Sequence, residues 1–260
     1  MTYDLPDVMT VDCDGPIRIV TLNRPNERNA LNTELHWAIA NVWRQLRADR
    51  GARVVILTGA GNCFCAGADL DWLPRLQTDE DFRESIMDEA AEILFEMVRF
   101  PLPLIAAVNG PAVTLGCSIA VMSDILLISD NAYLADPHVT AGVVAGDGGA
   151  AMWPLLGNPL RIREYLFTGD RILPEAAVEI GLASRVVPHD SLMDEACKLA
   201  RRLANQPRYA LQDTKKIVNS YLAQALAGAV LSGTAAERLS LTTPAHKERF
   251  EQFRQARKLY

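Results

Sequence analysis

Strand-like and helix-like stretches alternate along most of this chain, and that alternation limits the possible folds more than any other feature. The β-branched, apolar runs "IRIVTLNR", "ARVVILTG", "PLIAAVNG" and "DILLISDNAYLA" read as buried strands. Between them, "LNTELHWAIANVWRQLRADR" places Leu35, Ile39, Val42, Trp43 and Leu46 on one helical face, with Asn32 or Thr33 as cap. "EDFRESIMDEAAEILFEMVRF" repeats the pattern until Pro101 stops it. Such alternation predicts an α/β fold around a largely parallel, buried sheet. From Asp190 to Tyr260 only helical patterns remain, so residues 1–195 are expected to form the core and residues 196–260 a helical C-terminal region. The stretch "YLAQALAGAVLSGTAAERLSL" is too rich in Ala and Leu to face water and is expected to pack on the body or on another subunit.

Several function classes are disfavoured at this level. No segment reaches the ~18 uninterrupted apolar residues of a membrane span, and the first residues lack a basic start or an apolar block, so a cytoplasmic protein is expected. Cys13, Cys63, Cys65, Cys117 and Cys197 are odd in number and show no CxxC pairing, which signals neither a disulfide framework nor a metal site. The net charge of -6 argues against nucleic-acid binding. It is unevenly spread: residues 196–260 hold 12 Lys and Arg against 4 Asp and Glu, a local +8 that leaves -14 for the remainder. That basic tail is either a solvated helical face or a contact for anionic groups.

Two segments end a strand in a glycine-containing turn that leads toward a helix: "CAGADL" after Val54–Thr58, and the turn after Val108 that feeds a helix from about Gly116. Backbone N–H groups at such turns have no partner, and two of them aimed at one point can hold a carbonyl oxygen as it gains charge. Taken alone, either turn is equally explained by steric demand.

The ordered set "LNRPNERNALN", "GNCFCAGADL", "PLIAAVNGPAVTLGCSIAVMSD", "DPHVTAGVVAGDGG" and "AVEIGLASRVVP" closely resembles the crotonase superfamily, the enoyl-CoA hydratase/isomerase family, over roughly residues 8–258. The resemblance implies an α/β fold with a spiral β-β-α core, a helical C-terminal region that drives a homotrimer or a dimer of trimers, and an acyl-CoA substrate. Coenzyme A then enters as part of the substrate, with no tightly bound cofactor. It also implies an oxyanion hole from the N–H groups of Ala68 and Leu115, where the family usually has Gly at the second position. Asn26, Arg28 and Ala30 match the segment near the nucleotide, and Ala66, Asp69 and Leu70 match the segment along the adenine and pantetheine arm. Basic residues of "HKERFEQFRQARKLY" would add phosphate contacts, although Arg28 also reads as a plain surface arginine.

Two glutamates that hydratases of the family use as acid and base are absent. Their positions hold Ser118 and His138. A neutral imidazole, with a value near ~6.5, can take a proton from water, and Asp147 can orient it. His138 and Asp147 fall where 6-oxocamphor hydrolase, a superfamily member that cleaves a β-diketone without CoA, has His and Asp, and His36 lines up with a helical His of that enzyme. The competing readings are a core histidine and an Asp147 N-cap for "GGAAMWPLL". Three functions follow as expectations: hydration or hydrolysis of an acyl-CoA, CoA-independent β-diketone hydrolysis, and a non-catalytic acyl-CoA-binding subunit. His189 and His246 read as surface residues.

Overall fold

A computed structural model describes residues 2–257 of the chain, without the side chains of residues 253, 254, 256 and 257. The strands β1 (Met9–Asp14) and β2 (Ile17–Leu22) form an antiparallel hairpin. α1 (Thr33–Ala48) then leads to β3 (Val54–Gly59), and α2 (Leu73–Thr78) and α3 (Glu80–Arg99) lead to β4 (Leu104–Val108). β5 (Ala112–Val113), α4 (Leu115–Val121), β6 (Ile125–Ser129) and β7 (Leu134–Ala135) follow in short steps. The remaining elements are α5 (Gly149–Leu156), α6 (Pro159–Thr168), α7 (Pro174–Glu179), β8 (Arg185–Val187), α8 (Leu192–Ala204), α9 (Arg208–Ser240) and α10 (Pro244–Arg257).

Six strands form one sheet in the order β1-β2-β3-β4-β6-β8, parallel from β2 onward, and β5 pairs with β7 in a separate parallel ribbon. Burial on both faces explains why β3 and β4 are continuously apolar instead of alternating. Val54 and Ile56 face a small cluster closed by Leu192, Ala196, Ala200 and Ala204, the i, i+4 stripe of α8. Val55 and Leu57 face the main core with α1 and α3. The Asn32 cap forms, its side chain accepting from Leu35 N–H at the start of α1, and Asp79, not singled out in the sequence, caps α3 by accepting from Phe82 N–H.

The C-terminal region is helical, as the sequence indicates, although residue 195 falls inside α8 and not between elements. Its positive charge is partly absorbed by the acidic body, through Arg201 to Asp14, Lys215 to Asp124 and Arg238 to Glu84. α9 packs against α3 and α5 and brings Glu237, near its end, to within 3.8 Å of His138. Cys63, Cys65 and Cys117 are buried core residues, whereas Cys13 is exposed and Cys197 half-buried. Among the described residues, no helix is long and apolar enough to cross a membrane.

Candidate active site

The first glycine turn is built around Leu31. Leu31 N–H donates to the Gly67 carbonyl and Asp69 N–H donates to the Leu31 carbonyl. In a parallel bridge this pattern turns the intervening Ala68 N–H to the opposite side, where no hydrogen bond is made among the described residues. The second turn supplies Leu115, the first residue of α4, whose N–H has no acceptor within the helix. Thr114 before it is a non-glycine residue at φ 52, a strained conformation of the kind that clusters at binding sites. The two turns touch: a Cβ added to Gly67, at φ +86, would lie 2.4 Å from Thr114 Oγ1. Glycine is required at that approach.

Both turns open on one cavity of about 510 Å³. Its wall is largely apolar, with Trp72, Leu76, Ile86, Met87 and Phe250, and His138, Asp147 and Glu237 come together in its lining. Ala66, Ala68, Leu70, Leu115, His138 and Asp147 all line it, together with His36. Asn26, Arg28, Ala30 and Asp69 lie outside its lining. Asn26 and Arg28 are exposed, Arg28 in the left-handed region at φ 55. Asp69 pairs with Arg24 at 3.0 Å, and the Ala66 N–H is already used by the Arg28 carbonyl at 3.1 Å. In the last helix, the side chains of Arg254 and Arg257 and all of Lys258 fall outside the described residues.

The sequence points to Asp147 as the group that orients His138. In the structure the direct partner is Asp136, whose Oδ1 lies 2.5 Å from His138 Nδ1. His138 Nε2 faces Asp147 Oδ2 at 3.7 Å and Glu237 Oε1 at 3.8 Å, beyond hydrogen-bond range of either. Asp147 does not cap α5, whose N-cap is Gly148 with no side-chain bond. Glycine at residue 149 makes room for Asp136, because a Cβ there would stand 2.0 Å from its Oδ2.

Three carboxyl groups and one imidazole are thus enclosed together. Burial opposes a charged His138, but Asp136, Asp147 and Glu237 outweigh it and hold the ring well above its ordinary value. Burial pushes the Asp147 carboxyl up to about 6, against the pull of His138, while its own N–H and that of Leu115 favour the ionised form. Burial, with Asp147 beside it, pushes Glu237 up to about 8. Oδ2 of Asp136, Oδ1 of Asp147 and Oε2 of Glu237 are buried with no hydrogen-bond partner among the described residues. These directions favour a charged His138 and a protonated Glu237, with Asp147 the readier of the two raised carboxyls to ionise. The sequence-based expectation of a neutral imidazole runs against this direction.

Asp136 and Glu237 were passed over in the sequence. Asp136 sits two residues before His138, and Glu237 is the acid that closes the small-residue run "SGTAAE". His246, read as a surface residue, is 3% exposed and lines the cavity, because α10 folds back over it. His189 is half-buried, with Nδ1 3.1 Å from Ser129 Oγ. His36 is buried, held at Nδ1 by Glu89 and set edge-on to Trp72 at 5.4 Å. Ser118 is fully buried away from the cavity lining, beneath Gly148, with an unpartnered Oγ.

Fold and cavity together define an α/β protein of the crotonase type. The enoyl-CoA hydratase/isomerase profile matches residues 13–258. The 2,3-dehydroadipyl-CoA hydratase of Escherichia coli is 33% identical over 233 residues, 89% of this chain and 88% of that protein. An enoyl-CoA hydratase/isomerase from Mycobacterium paratuberculosis superposes with a TM-score of 0.93 at 42% identity, covering 96% of this chain and 100% of the other. A β-diketone hydrolase from the cyanobacterium Anabaena, bound to (S)-3-oxocyclohexyl acetic acid, superposes with a TM-score of 0.83 at 28% identity, covering 92% and 98%. The chain belongs to the enoyl-CoA hydratase/isomerase family.

Proposed function

We propose that this enzyme adds water to the carbonyl of a β-dicarbonyl substrate carried as an acyl-CoA thioester, and cleaves the adjacent carbon-carbon bond. The observation that carries the reading is the cluster in the cavity of the two turns, where Asp147 and Glu237 face the Nε2 of His138 at 3.7 and 3.8 Å and burial raises both carboxyls, to about 6 and about 8. Two groups whose values are pushed apart in this way suit a base and an acid at neutral pH.

In the proposed step, Asp147 takes a proton from water as its oxygen bonds to the carbonyl carbon. The carbonyl oxygen becomes an oxyanion against the N–H groups of Ala68 and Leu115, with charged His138 adding to the field. The carbon-carbon bond then breaks, its electron pair passes to the leaving enolate, and Glu237 delivers a proton to that carbon. Transfer from Asp147 to Glu237 restores the starting state. Asp136 holds the ring of His138 in place. Two-glutamate hydration does not fit, because Ser118 is buried out of reach and offers no carboxylate.

The Anabaena β-diketone hydrolase supports a second reading, in which the substrate is a free β-diketone. The Ala66 N–H of the expected CoA segment, already bonded to the Arg28 carbonyl, also favours it. A homotrimer or dimer of trimers remains part of the proposal, with the exposed Ile217, Val218 and Tyr221 of α9 as a face to be covered. The test is turnover of acetoacetyl-CoA, crotonyl-CoA and a cyclic β-diketone in water labelled with heavy oxygen. Label in a carboxylate product supports cleavage. Label only in a hydroxyacyl product replaces it with hydration, and binding without any product supports a non-catalytic subunit.

A further inference from the structure

Three of the chain's four histidines line the cavity, and the cluster above accounts for only one of them. His246 stands at the start of α10, stacked on Phe250 at 6.3 Å between ring centres. Its Nδ1 lies 2.9 Å from the carbonyl oxygen of Ala141. A carbonyl only accepts, so Nδ1 carries the proton, and in that tautomer Nε2 is the acceptor nitrogen. That Nε2 is buried and has no partner among the described residues. A buried acceptor without a partner, on a residue of the cavity wall, requires an explanation, and a ligand donor is one that the cavity can supply.

The surroundings fix the ring. Ala141 belongs to the loop between His138 and Asp147, and Val144 in that loop donates to Ser240 Oγ at 3.0 Å. A Cβ on Gly142 would stand 3.1 Å from the backbone of His246, so loop and helix are in direct contact. The imidazole therefore cannot swing away without releasing Ala141.

We propose that His246 is a specificity-determining residue whose Nε2 accepts a hydrogen bond from a hydroxyl or amide N–H of the bound substrate. The inference rests on the carbonyl-substrate reading above and deepens it. Two donors fit this chemistry: a hydroxyl on the acyl chain, or an amide of the pantetheine arm.

The test uses two substitutions that separate the ring nitrogens. His246→Asn keeps an N–H toward Ala141 and has nothing at the Nε2 position. His246→Gln places an amide oxygen near Nε2 and gives up Ala141. Binding of β-hydroxybutyryl-CoA, butyryl-CoA and dimedone, whose enol carries a hydroxyl, is measured by calorimetry, with melting curves for each variant. The expected result is about fivefold to tenfold weaker binding of the hydroxyl-bearing probes to His246→Asn, with butyryl-CoA unchanged and His246→Gln close to the parent. Equal weakening of both thioesters in His246→Asn alone assigns the donor to the pantetheine amide. Unchanged binding in His246→Asn, or equal loss in both variants, overturns the proposal and leaves His246 as a clamp on the loop. A parent protein that binds none of the probes overturns the carbonyl-substrate reading, and this inference falls with it.

Discussion

Two of the buried charge clusters among the described residues are built on opposite rules. At the β1-β2 end, Arg18 Nε meets Asp49 Oδ2 at 2.6 Å, Tyr3 donates to the same oxygen at 2.6 Å, and Gly51 N–H donates to Asp49 Oδ1 at 2.8 Å. The Arg18 guanidinium also donates to the Gly15 and Ile17 carbonyls. Charge is balanced there, and none of these side chains has an unpartnered buried atom. In the cavity, three carboxyls surround one imidazole and each keeps an open oxygen. The first arrangement stabilises by mutual satisfaction. The second leaves buried carboxyl oxygens without partners beside one imidazole, the pattern that the proposed acid–base role requires.

The widest separation is expected from activity. Asp147→Asn and His138→Ala should each lower kcat by ~100 to 10,000-fold while the fold persists, whereas Asp49→Asn should leave kcat within about twofold. Steady-state kinetics with the turned-over substrate, paired with circular dichroism, checks this. Equal activity in all three variants would erase the distinction.

Stability should separate them the other way. Asp49→Ala leaves Arg18 buried and unpaired and should cost about 3–5 kcal/mol in urea unfolding. Glu237→Gln removes an acid that is already protonated near neutral pH and should cost less than about 1 kcal/mol.

The pH dependence of stability should also have opposite sign at the two sites. Asp49 is held well below the usual carboxylate range, chiefly by its hydrogen bond from Arg18. Its contribution is present above ~3.9 and is lost as pH falls. Asp147, Glu237 and His138 are all raised, so their contribution is complete at low pH and drains as pH rises through about 6 and about 8. Melting temperatures from pH 5 to 9 should decline on the alkaline side, and Glu237→Gln should flatten the upper part of that decline.

The smallest effect is expected at Ser118. Its hydroxyl is buried and unpartnered, so Ser118→Ala should change kcat by less than about twofold and leave stability equal or slightly higher. A large loss of activity would place a catalytic role back at the position of the family's first glutamate.

The strands and main helices were legible because burial on both faces of a parallel sheet writes itself as unbroken apolar runs, as in β3 and β4. The Asn32 cap was legible for a similarly local reason. His138 and Asp147 could be chosen from the sequence, but their relationship could not. The distance from Nε2 and the presence of Asp136 at Nδ1 depend on how the loop closes. Glu237 and His246 were hidden because they arrive from α9 and α10, about ninety residues or more after the loop that they meet. In sequence they are indistinguishable from solvated helix positions, and only the return of the C-terminal helices over the cavity buries them.

Proton retention in the cavity can be read directly by isotope-edited infrared titration of the carboxyl C=O stretch, comparing the unmodified chain with Glu237→Gln and Asp147→Asn. The account predicts a protonated buried carboxyl band that persists at pH 7, fades near 8 and is missing in Glu237→Gln, and a second band fading near 6 that is missing in Asp147→Asn. Complete loss of carboxyl bands below pH 5 in the unmodified chain would contradict it.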